Sequence, residues 1–291
     1  MEPAGGEVRC QAGSHRFGPG PSGFLHLAAA GSPALRLETT SDSCARIQEG
    51  AGRRLYDAYL RPWLDRVGAR RVLDAGCGIG LGVEAMRADG LEAVGLDVAS
   101  VATRWAQLGH DPEGFVVGDL GRLPMKAGTF DAVLALGVIE HVGTTTGHLT
   151  LAPGWWQARV RFCSELTRVT RPGGRILVAC PNRRFPLDVQ HGPNDGQTTA
   201  PRRAWLFERT GVNLHPVWGP YHLASYGDLR RWFGPRPLRP LPLAGYFGFS
   251  SLDRAGLPAL AKRVLGSALA RFPPPLLGTA LNPYVLAEVE V

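Results

Sequence analysis

Three acids and a run of glycines have the types and spacing to hold a polar, positively charged ligand. Asp74 precedes Gly76, Gly78 and Gly80 in the stretch Val72-Leu73-Asp74-Ala75-Gly76-Cys77-Gly78-Ile79-Gly80. Glycines in such a turn permit positive φ and let a ligand approach the backbone. A carboxylate ahead of the turn repels a pyrophosphate and suits an ammonium group, which separates this D-x-G-x-G-x-G pattern from the dinucleotide G-x-G-x-x-G. Cys77 sits where a small side chain is needed, so its expected role is packing. Asp97 lies 17 residues after Gly80, close to the ~20-residue offset at which an acid meets ribose hydroxyls in nucleotide-binding folds. The alternative use of this segment is capping, with Asp97 or Ser100 starting the next helix.

Proton transfer near neutral pH calls for histidine. His141, His191 and His215 are the candidate general bases, with His148 and His222 close by in sequence. His141 follows an apolar run directly. Together with Asp188 and Asp195 these histidines have the chemistry of metal ligands, but no compact H-x-x-x-H spacing joins them, so no metal is expected. The five cysteines, Cys10, Cys44, Cys77, Cys163 and Cys180, form no C-x-x-C pair and read as reduced thiols.

Periodicity places these residues. Arg71-Val72-Leu73 enters the glycine turn as a strand, and Leu81 to Ala88 leaves it as a helix that stops at Gly90. Ala93 to Asp97 and Phe115 to Leu120 are short strands ending in acids. The segment after Asp97 reads as a helix carrying Val101, Trp105 and Leu108. A helix is predicted from Arg46 to Leu64, with Ile47, Leu55, Tyr59 and Leu60 on one face. Strands alternate with helices from Arg71 to Pro181, which implies parallel βαβ units and a pocket at the carboxyl ends of the strands. From Asn182 to Gly234 the pattern breaks, and so long an insertion is expected to act as a lid. Tyr246 to Phe249 and Tyr284 to Val289 are predicted to be the final antiparallel pair.

Five segments in order resemble the class I (Rossmann-like) S-adenosylmethionine (SAM)-dependent methyltransferases, across residues 70 to 182. They are the Asp74 to Gly80 turn; Gly95-Leu96-Asp97-Val98; Val117-Gly118-Asp119-Leu120; Phe130-Asp131 with its apolar run to Gly137 and Glu140-His141; and Arg171-Pro172-Gly173-Gly174 with the strand that follows. The likeness is to the small-molecule group that includes ubiquinone- and menaquinone-type enzymes. It implies an α/β fold: a doubly wound, mostly parallel seven-stranded sheet with an antiparallel last strand and helices on both faces. Residues 1–45 would be an irregular N-terminal arm, and residues 46–291 the catalytic domain, with its core at 70–182, its lid at 182–234 and the last strands and helix at 235–291. The implied cofactor is SAM, and the implied contacts are Asp74, Gly76, Cys77, Gly78, Gly80 and Gly137 around the donor, Asp97 and Val98 at the ribose, and Asp119 with Leu120 at the adenine. Val8-Arg9-Cys10 faintly resembles the start of a small zinc-binding head, but its other cysteines are missing.

Composition narrows the acceptor. The 291 residues carry a formal charge of +7, yet Lys126 and Lys262 are the only lysines among 32 basic residues. Abundant Arg, Ala, Gly and Pro reads as the bias of a GC-rich genome, and the arginines are scattered, which argues against nucleic acid as substrate. An N-P-P-Y type motif for base methylation is replaced here by Leu136-Gly137-Val138-Ile139. A small, apolar or ring-bearing acceptor is expected from the aromatic content of the lid and from Trp155 and Trp156, of which one should face the substrate. Arg183 and Arg184 have the charge to meet an acidic group on it. The alternatives are an RNA or DNA methyltransferase and a non-catalytic SAM-binding regulator. No apolar run spans a bilayer, and the N-terminus lacks the pattern of a signal peptide, so a cytoplasmic protein is expected. Leu257 to Phe272 reads as a core helix, with a membrane-surface helix as the alternative.

Overall fold

The computed structural model describes residues 8–9, 16–28, 32, 52–145, 150–188, 191, 201–210, 213–246, 267–268 and 271–291. Its strands, in chain order, are β1 (Val8–Arg9), β2 (Arg16–Pro19), β3 (Leu25–His26), β4 (Arg71–Ala75), β5 (Glu92–Asp97), β6 (Phe115–Val117), β7 (Phe130–Leu136), β8 (Thr144–Thr145), β9 (Thr150–Leu151), β10 (Thr170–Pro181), β11 (Leu187–Asp188), β12 (Asn213–Leu214), β13 (Leu238–Pro240) and β14 (Tyr284–Glu290). The α-helices are α1 (Arg61–Val67), α2 (Leu81–Ala88), α3 (Ala99–Leu108), α4 (Trp155–Val169), α5 (Pro201–Thr210) and α6 (Tyr226–Phe233).

The central sheet runs β1-β2-β3-β6-β5-β4-β7-β10-β14-β13. Pairing is parallel from β3 through β10 and antiparallel from β10 to β14 and from β14 to β13. The mostly parallel, doubly wound sheet with an antiparallel last strand is therefore as the motifs predict, but it has ten strands and not seven. The additional three come from the segment expected to be an irregular arm. Leu25 and His26 of β3 pair with Val116 and Val117 of β6, and Phe24, 2% exposed, sets its ring edge-on to Trp105 and Phe115. An apolar residue at the right register recruits a glycine- and proline-rich segment to the sheet edge, which composition alone does not disclose.

Alternation along the strands fills two cores, because successive side chains point to opposite faces. Val72, Ala132, Leu134, Leu177 and Leu286 meet Trp63, Leu64, Val83, Met86 and Trp105 on one face. Leu73, Val133, Ala135, Val178 and Val285 meet Phe162, Leu166, Leu229 and Trp232 on the other. Burial on both faces explains why the strands read as near-continuous apolar runs. Val101, Ala102 and Trp105 carry the buried face of α3, while Leu108 is 43% exposed. The helix ahead of the core is partly as predicted: Tyr56, Leu60, Trp63 and Leu64 are buried, a π-helical turn spans Tyr56–Leu60, and residues 46–51 lie outside the described residues.

Two further expectations shift. The partner of β14 beside β10 is β13, with Leu238 opposite Val289, and Tyr246 lies in a turn; residues 247–249 are outside the described residues, as are most of 257–272, Cys10, Cys44, His148 and Asp195. The Asp131 of the fourth-strand motif works structurally. Its Oδ2 accepts from the backbone N–H groups of Arg70 and Arg71 at 2.8 Å each, and its Oδ1 from Arg171 at 2.6 Å, so one carboxylate ties together the starts of β4, β7 and β10. Among the described residues, no helix is long and apolar enough to cross a membrane.

Candidate active site

The glycine turn sits at the carboxyl end of β4, between that strand and α2. Gly76, Gly78 and Gly80 all have positive φ, at 90°, 54° and 84°. A Cβ on Gly76 would come within 2.3 Å of Val138 Cγ2, and one on Gly80 within 2.4 Å of Phe115 Cε1. Gly76 and Gly80 are therefore required twice, by backbone conformation and by space, and Gly78 by backbone conformation.

Residues far along the chain hold the turn. Gly76 and Cys77 donate their N–H groups to Leu96 O at 2.7 and 3.2 Å. Asp97 Oδ2 accepts from Gly78 N at 2.7 Å, and its Oδ1 accepts from Val98 N at 2.8 Å. Trp105 Nε1 donates to Gly78 O at 2.7 Å, and His110 Nε2 lies 2.7 Å from Ile79 O while its ring stacks on Phe115. Sequence reading assigned Asp97 and missed Trp105 and His110 here, because an indole or imidazole aimed at a carbonyl leaves no spacing signature. The helix after β5 is capped by Val98 without a side-chain bond, so Asp97 orients the turn and does not cap α3.

Two further acids, Asp74 within β4 and Asp119 just beyond β6, are each partly exposed. Burial, reinforced by the charge of Asp97, pushes the Asp74 carboxyl up to about 7, although the residue as a whole is half-buried. A carboxyl so placed gains from a cationic partner, since a nearby positive charge restores its ionised form. Asp119 Oδ1 accepts from Gly121 N at 2.8 Å, and its Oδ2 accepts from Ser32 Oγ at 2.9 Å. Leu120 is half-buried beside it. Burial pushes the Cys77 thiol well above its ordinary range, with Asp97 and Asp74 adding to the shift, which suits packing and not nucleophilic attack. Gly137 closes the carboxyl end of β7, donating to Ala179 O at 2.8 Å.

Residues 73–178 match the family model described as "Methyltransferase domain". This segment is a methyltransferase domain. Among curated relatives, the chain is 30% identical over 183 residues to a probable S-adenosylmethionine-dependent methyltransferase of Mycolicibacterium smegmatis, covering 60% of this chain and 65% of that protein. It is 34% identical over 124 residues to a demethylmenaquinone methyltransferase of Beutenbergia cavernae, covering 42% and 46%. It is 29% identical over 191 residues to a ubiquinone biosynthesis O-methyltransferase of Methylocella silvestris, covering 64% and 60%. The chain thus spans between about half and two thirds of the length of these relatives.

Beyond the carboxyl edge of the methyltransferase domain, the segment predicted to be a lid contributes a buried polar cluster. Asp188 and His222 have no exposed surface, and His215 is 6% exposed. His141 and His191 lie with ring centroids 5.1 Å apart, and His191 and His222 with theirs 5.0 Å apart. Glu140, fully buried, completes the group on the β7 side. The structure therefore brings His141 and His191 together, while His215 stands one ring away, stacked at 4.7 Å on Tyr221, which in turn touches His222.

Burial governs the charges in this cluster. It raises the Glu140 carboxyl to about 7 and drives His222 down to about 2. It also lowers His215. Burial alone would lower His191 too, but the charge of Asp188 and its hydrogen bond to Nδ1, 2.9 Å long, reverse the sign and the imidazole is raised.

Arg159 of α4, wholly buried and absent from the sequence reading, fastens the cluster. Its Nε donates to Val142 O at 3.0 Å, and its Nη2 to Glu140 O at 2.9 Å and His222 O at 2.6 Å. The guanidinium lies against the rings of Trp155 and Trp232, 5.1 and 5.3 Å from their centroids. Trp156 packs edge-on to Trp232 and under Arg231. The tryptophan pair expected to present one ring to substrate is thus engaged with α6 and with Arg159. Arg183, expected to be free for an acidic substrate group, is paired with Asp228 at 3.0 Å, and Arg184 stacks on Trp218 at 4.6 Å.

Proposed function

We propose that this chain transfers a methyl group from SAM to an oxygen, nitrogen or carbon nucleophile of a small metabolite. The observation that carries the reading is the carboxylate of Asp97 bonded to Gly78 N, which sets an acid at the end of β5 against a turn whose three glycines all have positive φ. The residues fit the donor. Asp74 offers a carboxyl poised to ionise against an ammonium, Asp97 has further lone pairs for ribose hydroxyls, and Asp119 with Leu120 offers an acceptor and an apolar face at the adenine end. Gly76, Gly78, Gly80, Cys77, Val98 and Gly137 shape the walls between them.

The sulfonium of SAM supplies an already activated methyl group. What remains for the protein is to orient the nucleophile in line with it, exclude water and take up a proton where the nucleophile carries one. The buried cluster at the carboxyl edge of β7 suits the last task. His141 lies in the turn beyond β7, and Val138, three residues before it, lies against Gly76 of the glycine turn. His191 is the second candidate, with His215 behind it. The names of the relatives, two of which act in quinone pathways by title, favour a ring-bearing acceptor.

The test is incubation of cell extract with the full-length protein and methyl-labelled SAM, followed by mass spectrometry. The expected product is a small molecule heavier by one methyl replacing one hydrogen. Label found solely in nucleic acid would replace the acceptor class, and absence of any labelled product together with tight SAM binding would favour a regulator. His141→Ala is expected to lower turnover with little change in SAM affinity.

A further inference from the structure

Glu140 has no exposed surface, and neither of its carboxylate oxygens meets a hydrogen-bond donor among the described residues. His222 is as deeply buried, and neither of its ring nitrogens finds a partner there. Leaving buried polar groups unsatisfied costs about 1–3 kcal/mol each, so two such groups converging on one place call for a ligand. Glu140 lies with His141 and His191, and His222 with Asp188 and His191, so the two groups meet at His191. One ligand atom from each of Glu140, His141 and His191 lies within 4.8 Å of the others, and the same holds for Asp188, His191 and His222.

From this geometry we propose that Glu140, His141, His191 and His222 bind a divalent transition-metal ion such as zinc, with Asp188 orienting His191. Imidazole and carboxylate together are donors of borderline softness, which suit zinc, iron, cobalt or nickel rather than magnesium or calcium. Asp188 takes the place of the outer-sphere carboxylate common to metal-bound histidines. Its Oδ2 lies 2.9 Å from His191 Nδ1 and its Oδ1 accepts from His191 N at 3.0 Å, which fixes the ring and leaves Nε2 for the ion. Asn213 Nδ2 steadies the same residue through His191 O at 3.2 Å. The carboxylates of Glu140 and Asp188 bring negative charge to the ion, while Arg159, a buried cation near Glu140, places three hydrogen bonds on backbone carbonyls and leaves Nη1 without a partner among the described residues.

The ligands come from residues 140–141, 191 and 222, which no short motif spans. The absence of H-x-x-x-H spacing therefore does not bear on a site assembled by tertiary packing. The ion would lie two residues beyond Val138 and so beside the donor turn, placed to hold an oxygen-bearing acceptor. That last clause rests on the methyltransferase reading; the binding of the ion does not.

The full-length protein, stripped with chelator, is dialysed against zinc and its metal content measured by mass spectrometry, without SAM. One zinc per chain is expected, falling at least tenfold in His191→Gln and in Glu140→Gln. Cobalt(II) substituted into the wild-type chain is expected to give the intense visible bands of four- or five-coordinate nitrogen and oxygen ligation, which needs no variant to fold. Zinc well below one per chain, or a content unchanged in both variants, overturns the proposal, as does a cobalt spectrum equal to that of the free ion, and leaves His141 as a direct base. SAM affinity, measured separately by calorimetry, tells failure of this site from failure of the donor pocket.

Discussion

The carboxylate of Asp97 and the backbone N–H of Gly78 are 2.7 Å apart, across 19 residues of chain. This bond makes the acid at the end of β5 part of the glycine turn. Asp97→Asn replaces a charge-assisted acceptor with a neutral one. Hydrogen bonds to charged groups contribute about 1.5–3 kcal/mol, so SAM binding is expected to weaken about 10- to 150-fold by calorimetry. Affinity equal to wild type would remove Asp97 from the pocket.

Asp74 predicts a pH dependence whose sign follows from its raised carboxyl. With a folded value of about 7 against about 3.9 unfolded, the folded ligand-free protein binds more protons than the unfolded chain between those limits. Its stability from this group is full below about pH 4 and declines as pH rises toward 7. The ammonium of SAM favours the ionised form, so affinity is expected to rise with pH up to about 7, by as much as tenfold per unit. Asp74→Asn should flatten both slopes; calorimetry and thermal melts across pH 5 to 8 would show it, and an unchanged slope would assign the linkage elsewhere.

Trp105 acts on the same turn from behind. Trp105→Phe keeps most of the packing against Phe24 and Phe115 but leaves Gly78 O with only the weak Cys77 Sγ contact at 3.7 Å. The expected cost is about 1–3 kcal/mol of stability, read from denaturant midpoints, with weaker SAM binding because the turn loosens. Loss of stability without loss of affinity would make the indole a core residue and no more.

Arg159 is a positioning residue for the far side of the site. Arg159→Lys keeps a charge but cannot reach three carbonyls, since a lysine presents one compact group. A loss on the order of 3 kcal/mol is expected by chemical denaturation. SAM affinity should hold within about twofold, while zinc content falls with the displaced Glu140 and His222. Retained zinc in a folded Arg159→Lys protein would show that the cluster holds its shape without the latch.

The strand, glycine turn and helix were legible in the sequence because their signals are local. Strand, turn and helix are contiguous from Arg71 to Ala88, glycine is demanded by φ at three alternate positions, and the acids end strands whose parallel pairing brings them to one edge. The same logic disclosed the sheet, since runs buried on two faces are apolar throughout. Where the reading fell short, the deciding contact is distant or is made by a backbone carbonyl. Strands β1 to β3 join the sheet through register with β6, not through any periodicity of their own. Arg159, Trp105 and His110 serve carbonyl groups that every residue carries, so no residue type announces them. His141, His191 and His222 are separated by dozens of residues and meet only because the insertion after β10 folds back over the carboxyl edge of β7. Sequence determined the glycine turn because its parts are neighbours in the chain; tertiary structure alone decided the buried histidine cluster because its parts are neighbours only in space.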